Sequence, residues 1–236
     1  MTAEKRLVII PSAGMGKRMG TKKKNFLPIL GKPVLAHTLA AFEAAPSVDA
    51  IILSVPHDDI EFCAEEIVRK YKAEKVILIV AGGPERQDSV ANALEAAKGL
   101  GFDIIAVHDG ARPLVTVKVI EDVFKTASEK KAAIAAVPVK DTIKEAADGL
   151  VLRTIPRETL WSVQTPQAFR ADIILRAFEL AKKDGFKGTD ESSLVERLGE
   201  RVSIVMGSYE NIKITTEEDM PIAEYVLKKR GTPAPA

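Results

Sequence analysis

The stretch that decides the fold is residues 7–24, which read LVIIPSAGMGKRMGTKKK. Its first four residues, Leu7 to Ile10, are all apolar and predict a buried first strand. The remainder, from Pro11 to Lys24, contains three glycines and five basic side chains. Glycines let the backbone approach an anion closely, and Lys and Arg supply charge to a polyphosphate. A solvated basic turn has a similar composition, but a glycine-rich basic loop directly after an apolar strand favours a phosphate-binding loop.

The glycine spacing indicates which kind of nucleotide the loop suits. A dinucleotide fingerprint requires G-x-G-x-x-G, whereas here Gly14 and Gly16 are followed by Met19, with Gly20 one position late. A P-loop requires Gly-Lys-Ser or Gly-Lys-Thr, and the chain has Gly16-Lys17-Arg18 instead. The loop therefore favours a group that builds up negative charge, such as a nucleoside triphosphate under attack, and disfavours a dehydrogenase.

Composition limits the class of protein. With 236 residues, 46% of them hydrophobic, the chain suits one large α/β domain or two small ones. We expect a single domain over residues 1–230, followed by a flexible tail at residues 231–236. The net charge of +1 creates no global field for nucleic acid, and no segment approaches the ~20 apolar residues of a membrane span. The lone Cys63 excludes an internal disulfide and the first strand leaves no room for a signal peptide, so we expect a cytoplasmic protein.

Short apolar runs alternate with helical patterns, which is the signature of a mostly parallel sheet with crossover helices. The patterns predict strands at Leu7–Ile10, Ala50–Val55, Lys75–Val80, Ile104–His108, Ala133–Val137, Val202–Met206 and Ile212–Ile214. They predict helices at Pro33–Ala45, from Asp58 or Asp59 to Tyr71, and at Asp88–Ala97, Thr116–Ser128, Arg170–Lys183, Glu191–Leu198 and Thr216–Lys229. The fold class is therefore α/β.

The alternation stops between Val139 and Trp161, where there is no helical period. Residues 139–144 alternate like a strand, Asp148-Gly149 is a hairpin-turn signal, and residues 150–155 form the return strand. We therefore predict a β-arm over about 139–160. Two strands alone are marginally stable, so the arm must pack on its own domain or, at least as favourably, on a partner subunit. The apolar side chains that need this cover are Ile143, Leu150, Leu152, Ile155 and Trp161.

Four loops follow predicted strands, at the edge where open α/β sheets bind ligands. They are residues 11–24, 81–89 and 109–113 and the region around Lys213, and together they predict a pocket. The backbone of Gly82-Gly83 with Ser89 can hydrogen-bond a flat polar ring, or form an ordinary turn capped by Asp88 or Ser89.

Asp109 and Arg112 also leave two readings open. In the first, the Asp109 carboxylate accepts hydrogen bonds from substrate hydroxyls or holds a metal, and Arg112 binds an anion. In the second, the two side chains pair with each other and fix their loop. Thr189-Asp190-Glu191 can likewise be a helix cap. The three histidines have no metal-binding spacing, and no nucleophile–base pair stands out.

Taken in order, the motifs resemble the 2-C-methyl-D-erythritol 4-phosphate cytidylyltransferase family of the non-mevalonate isoprenoid pathway. The likeness extends from Val8 to about Tyr225. It rests on the segments at residues 13–19, 24–27, 82–83, 85–86, 88–90, 108–113, 139–142, 165–167, 189–191 and 211–215. The first segment alone marks the wider nucleotidyltransferase superfamily, whereas the ordered set is specific to the family.

The resemblance implies a Rossmann-like three-layer α/β/α nucleotidyltransferase with a mostly parallel twisted sheet and an inserted β-arm. It implies that CTP and methylerythritol phosphate are joined to give the CDP-linked alcohol and pyrophosphate, with Mg²⁺ on the triphosphate and no metal held by protein side chains. It also implies a homodimer in which the arm delivers Thr142 and Arg157 into the partner's site.

The resemblance further implies individual roles. The catalytic charges are Arg18, Lys24, Arg157 and Lys213. The nucleotide is bound near Pro11, Ala13, Gly14, Gly16, Gly82, Gly83 and Ser89. The sugar-alcohol phosphate is bound by Asp109, Arg112, Thr142 and Thr189. Because the nucleophile is an ionised phosphate oxygen, such a site needs no general base and works by positioning and electrostatics.

The chain departs from the family pattern at two places. The family usually has Pro-Lys-Gln where this chain has Lys23-Lys24-Asn25, so Lys23 competes for the role given to Lys24. Pro84 stands where an acidic residue is common. The competing functions are a ribitol-5-phosphate cytidylyltransferase, which shares most of these motifs, and a non-catalytic CTP-binding module.

Overall fold

The computed structural model describes residues 4–14 and 24–231. The strands are β1 Arg6–Pro11, β2 Pro28–Ile29, β3 Lys32–Pro33, β4 Ala50–Val55, β5 Val76–Ala81, β6 Ile104–Val107, β7 Ala132–Pro138, β8 Ile143–Ala147, β9 Leu150–Ile155, β10 Trp161–Arg170 and β11 Ser203–Met206. The helices are α1 Val34–Glu43, α2 Ile60–Phe62, α3 Arg86–Ala97, α4 Val117–Lys130, α5 Ala171–Asp184, α6 Glu191–Glu196 and α7 Asp219–Gly231. A π-helix, Cys63–Arg69, continues α2.

Seven strands form the central sheet, in the order β11-β7-β10-β6-β1-β4-β5. Neighbouring strands run parallel except at β10, which is antiparallel to both β6 and β7. Because β1, β4, β5 and β6 are parallel, the loops that follow them lie at the same edge of the sheet. The loop after β1 is central at this edge, between those that follow β6 and β4.

Helices cover both faces of the sheet, and β1 shows why. Val8 and Ile10 belong to one apolar cluster with α1, the π-helix and α4, while Leu7 and Ile9 belong to a second cluster with α3, α5 and α6. All four side chains are fully buried, as expected for a strand whose successive residues point to opposite covered faces. The predicted three-layer α/β/α architecture with a mostly parallel sheet is confirmed.

Several predicted boundaries are wrong. Trp161–Arg170 is a central strand that the sequence patterns did not reveal, whereas residues 212–214 are not a strand. Pro33 ends β3 and precedes α1. Helix α3 begins at Arg86, because Glu85 rather than Asp88 or Ser89 is its N-cap, in a reciprocal capping box with Asp88. Within the described residues, no helix is both long enough and apolar enough to cross a bilayer.

The inserted arm is a separate two-stranded sheet made of β8 and β9. Ala147 pairs with Leu150 across a two-residue turn, and Asp148 and Gly149 both have positive φ angles, of 52° and 77°, as a type I′ turn requires. Leu150 and Leu152 remain 71% and 61% exposed. The predicted hairpin is therefore present, although its first strand is Ile143–Ala147 rather than residues 139–144, and within the described residues Leu150 and Leu152 are left without cover.

Candidate active site

A cavity of ≈ 450 Å³ lies at the carboxyl edge of the sheet. It is bounded by the loops that follow β1, β5 and β6 and by the segment around Lys213, the four places that the sequence predicted. Its lining includes eight of the predicted site residues, namely Pro11, Ala13, Gly14, Lys24, Gly83, Ser89, Asp109 and Lys213. A second cavity of ≈ 540 Å³, between α3 and α5, includes no predicted site residue.

Gly82 and Gly83 form a tight turn that abuts the loop after β1. A Cβ on Gly82 would overlap Ala13 Cβ and lie 2.9 Å from Ser89 Oγ, and one on Gly83 would overlap Asp88 Cβ. The buried Ser89 hydroxyl fixes this turn, accepting a hydrogen bond from Gly83 N at 3.1 Å and donating to Glu85 O at 3.1 Å. Glycine is therefore required at both positions by the packing of the protein itself.

Asp109 is the electrostatic centre of the cavity. Its Oδ1 pairs with Arg86 Nε at 2.7 Å and its Oδ2 with Lys213 Nζ at 2.8 Å, while Arg112 Nε lies 3.6 Å from Oδ2. Burial raises the pKa of this carboxyl, but the charges of Arg86, Lys213 and Arg112 outweigh burial and hold the pKa well below its ordinary value. Asp109 is therefore a permanent carboxylate, and its predicted pairing with Arg112 is only one of three.

The segment that carries Lys213 is tied to the loops after β1 and β6. Lys24 Nζ donates to Ile214 O at 3.1 Å, and the Arg112 guanidinium donates to Asn211 O at 2.7 Å. The amide of Ile214 donates to Ala111 O at 2.8 Å. These contacts bring Lys24 and Lys213, which are distant in sequence, to one cavity. The burial of Arg112 lowers its pKa, which Asp109 partly offsets, and its contacts make it a residue that orders the loop.

A buried histidine supports the Asp109 loop from below. Asp109 N donates to Thr165 Oγ1 at 3.1 Å, and Thr165 Oγ1 is 3.0 Å from His108 Nδ1. Because the Arg112 carbonyl oxygen can only accept, His108 Nε2 carries the proton and donates to it at 3.1 Å, and in the neutral ring Nδ1 accepts from the Thr165 hydroxyl. Complete burial lowers the pKa of His108 to about 3, so the ring is neutral and structural.

The remaining predicted residues lie away from the cavity or outside the described residues. Thr142 and Arg157 are exposed at the arm, where Arg157 donates to Lys140 O. Thr189 is exposed beside Asp190, the side chain that caps α6 by accepting from Ser193 N at 3.0 Å. Gly16, Arg18 and the rival Lys23 lie outside the described residues. Within one chain, the arm residues and the cavity residues are therefore not brought together.

Sequence reasoning missed two charged residues of the site. Arg86 lines the cavity, and Glu191 receives two hydrogen bonds from the Arg86 guanidinium, at 2.7 and 3.0 Å. Both belong to motif segments, and Arg86 follows directly after the capping residue of α3, which was the available signal. Their pairing was not visible because 105 residues separate them.

Known proteins are similar to this chain over nearly its whole length. A profile of the 2-C-methyl-D-erythritol 4-phosphate cytidylyltransferase family, IspD, matches residues 7–229. The chain is 50% identical over 225 residues to the protein of that name from Geobacter metallireducens, an alignment that covers 94% of this chain and 97% of the relative. It is 49% identical over 222 residues to the Bacillus cereus protein, with coverage of 94% and 97%.

Solved structures give the same family. The crystal structure of 4-diphosphocytidyl-2C-methyl-D-erythritol synthase from Anaerococcus prevotii superimposes with a TM-score of 0.83 at 33% identity, covering 95% of this chain and 96% of that one. The Thermus thermophilus cytidylyltransferase has a TM-score of 0.77 at 30% identity, with coverage of 93% and 98%. The chain belongs to the 2-C-methyl-D-erythritol 4-phosphate cytidylyltransferase family.

Proposed function

We propose that the protein joins CTP and 2-C-methyl-D-erythritol 4-phosphate to form 4-CDP-2-C-methyl-D-erythritol and pyrophosphate. The observation that carries the proposal is the meeting of Lys24 and Lys213 at one cavity, in a chain that matches this family over nearly its whole length. A phosphate oxygen of the sugar alcohol attacks the α-phosphorus of CTP in line. The new P–O bond forms as the bond to the β-phosphate oxygen breaks, and pyrophosphate carries away the displaced electron pair.

The reaction requires charge stabilisation rather than proton transfer, because the attacking phosphate is already ionised. Lys24 and Arg18 stabilise the triphosphate, and Lys213 and Arg157 hold the attacking phosphate. The loop around Pro11, Ala13, Gly14 and Gly16, with the Gly82-Gly83 turn, holds the base and ribose, while Ser89 fixes that turn. Asp109, Thr142 and Thr189 contact the sugar alcohol, and Arg112 orders the loop that carries Asp109.

The described side chains of the cavity suit a magnesium ion that would be held by the nucleotide and not by a set of protein ligands. Among the described residues, no group of three or more His, Cys, Asp or Glu side chains could hold a metal ion. Asp109, the buried carboxylate of the cavity, is engaged by Arg86 and Lys213. The triphosphate oxygens would therefore be the ligands of Mg²⁺, which would supply charge neutralisation.

The working unit is a homodimer of one catalytic domain per chain, residues 1–230, joined through the arm over about 139–160. Leu150, Val151 and Leu152 on the arm are each more than 60% exposed, so apolar side chains are uncovered on both faces of this strand, as suits packing on a second copy. Crossing of the arm would carry Thr142 and Arg157 into the partner's cavity. Light scattering at micromolar concentration should give a dimer mass, and a monomer would contradict this arrangement.

Pyrophosphate release tests the activity. With CTP and Mg²⁺, the protein should release pyrophosphate on addition of 2-C-methyl-D-erythritol 4-phosphate and far more slowly with ribitol 5-phosphate. Turnover with ribitol 5-phosphate alone would assign the other substrate. Binding of CTP without turnover of either would mean a non-catalytic module.

A further inference from the structure

Arg86 joins two buried carboxylates beside the cavity. Its Nε pairs with Asp109, and its two terminal nitrogens pair with the two oxygens of Glu191. The Glu191 side chain is 2% exposed, and that of Asp109 is 9% exposed. Burial lowers the pKa of Arg86, but the charges of Glu191 and Asp109 outweigh it and raise the pKa above its ordinary value. The guanidinium is therefore a permanent charge held in one plane by three hydrogen bonds.

Lys213 has a different and weaker attachment to the same carboxylate. Its Nζ contacts Asp109 Oδ2, and its side chain is 36% exposed, so it can turn into the cavity. A phosphate in the cavity must compete with Asp109 for this ammonium group. If Lys213 were the only close partner of Asp109, its departure would leave a buried carboxylate without a counter-charge, which is costly.

We propose that Arg86 and Glu191 are positioning residues for the transfer: Glu191 fixes Arg86, and Arg86 holds Asp109 by Oδ1, which frees Lys213 to leave Oδ2 for the substrate phosphate. Arg86 keeps the buried carboxylate neutralised when Lys213 moves. Glu191 occupies the two terminal nitrogens of Arg86 and so keeps Arg86 Nε directed at Asp109. The inference rests on the proposed function, because that function supplies the phosphate to which Lys213 turns.

A double-mutant cycle between Arg86 and Lys213 tests the first step. Arg86→Lys keeps the charge but cannot make three hydrogen bonds in one plane. It should lower kcat/KM for 2-C-methyl-D-erythritol 4-phosphate about tenfold, the size expected for one charged hydrogen bond, while KM for CTP changes less than about twofold. In a Lys213→Ala background the same change should add less than about twofold, because there is no lysine left to free.

An additive loss in the cycle would overturn the inference, since it would mean that Arg86 contacts substrate directly or only maintains the fold. An unchanged kcat/KM in Arg86→Lys would overturn it as well. Thermal unfolding of each variant, followed by circular dichroism, checks that the folded fraction is the same at the assay temperature.

Glu191→Gln tests whether Glu191 fixes Arg86, through the direction in which the substitution changes the affinity for the sugar-alcohol phosphate. The five charged groups, Arg86, Arg112, Lys213, Asp109 and Glu191, leave one net positive charge, and this substitution adds another. A purely electrostatic role for Glu191 therefore predicts tighter phosphate binding, whereas release of the guanidinium predicts about threefold weaker binding. We expect weaker binding, and tighter or unchanged binding would remove Glu191 from the mechanism. Glu196→Gln, an exposed position on the same helix, is the matched control and should have no effect.

The two proposals are separated by measuring binding as well as turnover. Wild-type turnover alone decides the proposed function. Calorimetric titration of the same sugar-alcohol phosphate into the full-length protein, with CTP and EDTA present to prevent turnover, gives the variant ratios independently. Weaker binding in Arg86→Lys and Glu191→Gln, with no further weakening by Arg86→Lys in the Lys213→Ala background, supports the positioning role even if the wild type turns over a different alcohol phosphate. Equal affinities in the wild type and Arg86→Lys would refute it.

Discussion

Asp109→Asn is the substitution whose consequences the structure defines most closely. It removes one buried negative charge and leaves the cations that contact it. Breaking a buried ion pair from one side costs about 3–5 kcal/mol of unfolding free energy. The lower end applies here, because Glu191 still neutralises Arg86, the Lys213 side chain is 36% exposed, and Arg112 is 3.6 Å away. We expect a loss of about 3 kcal/mol, or about 6–12 °C in Tm for a chain of this length.

Urea denaturation at neutral pH measures this difference, with Asp122→Asn as the matched control. Asp122 pairs with Lys118 on the surface, with side chains 40% and 81% exposed, so its loss should cost less than about 1 kcal/mol. A loss at Asp109 no larger than that of the control would refute the reasoning, because it would mean that the three cations do not depend on the carboxylate.

The difference between wild type and Asp109→Asn should also depend on pH. The folded pKa of Asp109 lies below the unfolded value of about 3.9, so the unfolded chain takes up a proton first as the pH falls. The contribution of Asp109 to stability is therefore complete above about pH 5 and decreases at lower pH. A difference that stays constant from pH 7 to pH 3 would contradict the depressed pKa.

Three further predictions concern the turn, the arm and the buried histidine. Gly82→Ala forces a Cβ into Ala13, so it should lower the free energy of unfolding by about 1–3 kcal/mol and raise KM for CTP. Thermal unfolding and steady-state assays measure the two effects, and wild-type values of both would contradict the packing. Arg157→Ala and Lys213→Ala should each lower kcat about a hundredfold. If the arm crosses to the partner, mixing the two variants should restore about a quarter of wild-type activity, because half of the dimers are then heterodimers with one intact site of two. A mixture no more active than its components would exclude a crossed arm. The folded pKa of His108 is about 3, so below about pH 6.5 the unfolded chain takes up a proton that the folded protein does not. Urea denaturation should therefore show the free energy of unfolding decreasing as the pH falls below about 6.5, and decreasing less steeply in His108→Gln. The same pH dependence in both proteins would contradict a neutral buried ring.

The local features of this protein were predictable where their causes are local. Leu7 to Ile10 predicted a strand covered on both faces, because four successive apolar residues leave no polar side. Asp148-Gly149 predicted the arm, because few residue pairs tolerate two positive φ angles in succession. The glycine-rich basic loop and the ordered motifs predicted the ligand chemistry and the family.

Some elements were hidden by local irregularity. The strand Trp161–Arg170 contains Pro166, which cannot donate to a ladder, and its register with β7 shifts between Val163 and Gln167. The alternation of inward and outward side chains is therefore interrupted in the middle of this strand, so its residues do not show the two-residue period by which a strand is predicted. Residues 212–214 do not form a strand, although Ile214 N donates to Ala111 O, so the apparent strand period around Lys213 was misleading.

The sequence by itself determined the sheet class, the arm and the family, because each depends on periods or motifs within a few residues; the phosphate-binding role of the loop after β1 stays a prediction. Only the tertiary structure decided which charges meet. Arg86 pairs with Glu191 across 105 residues, Lys24 reaches Ile214 O across 190, and Asp109 gathers cations from three segments. Such pairings are selected by burial, since a charge removed from water must find a partner wherever the chain brings one, and no local pattern records that partner.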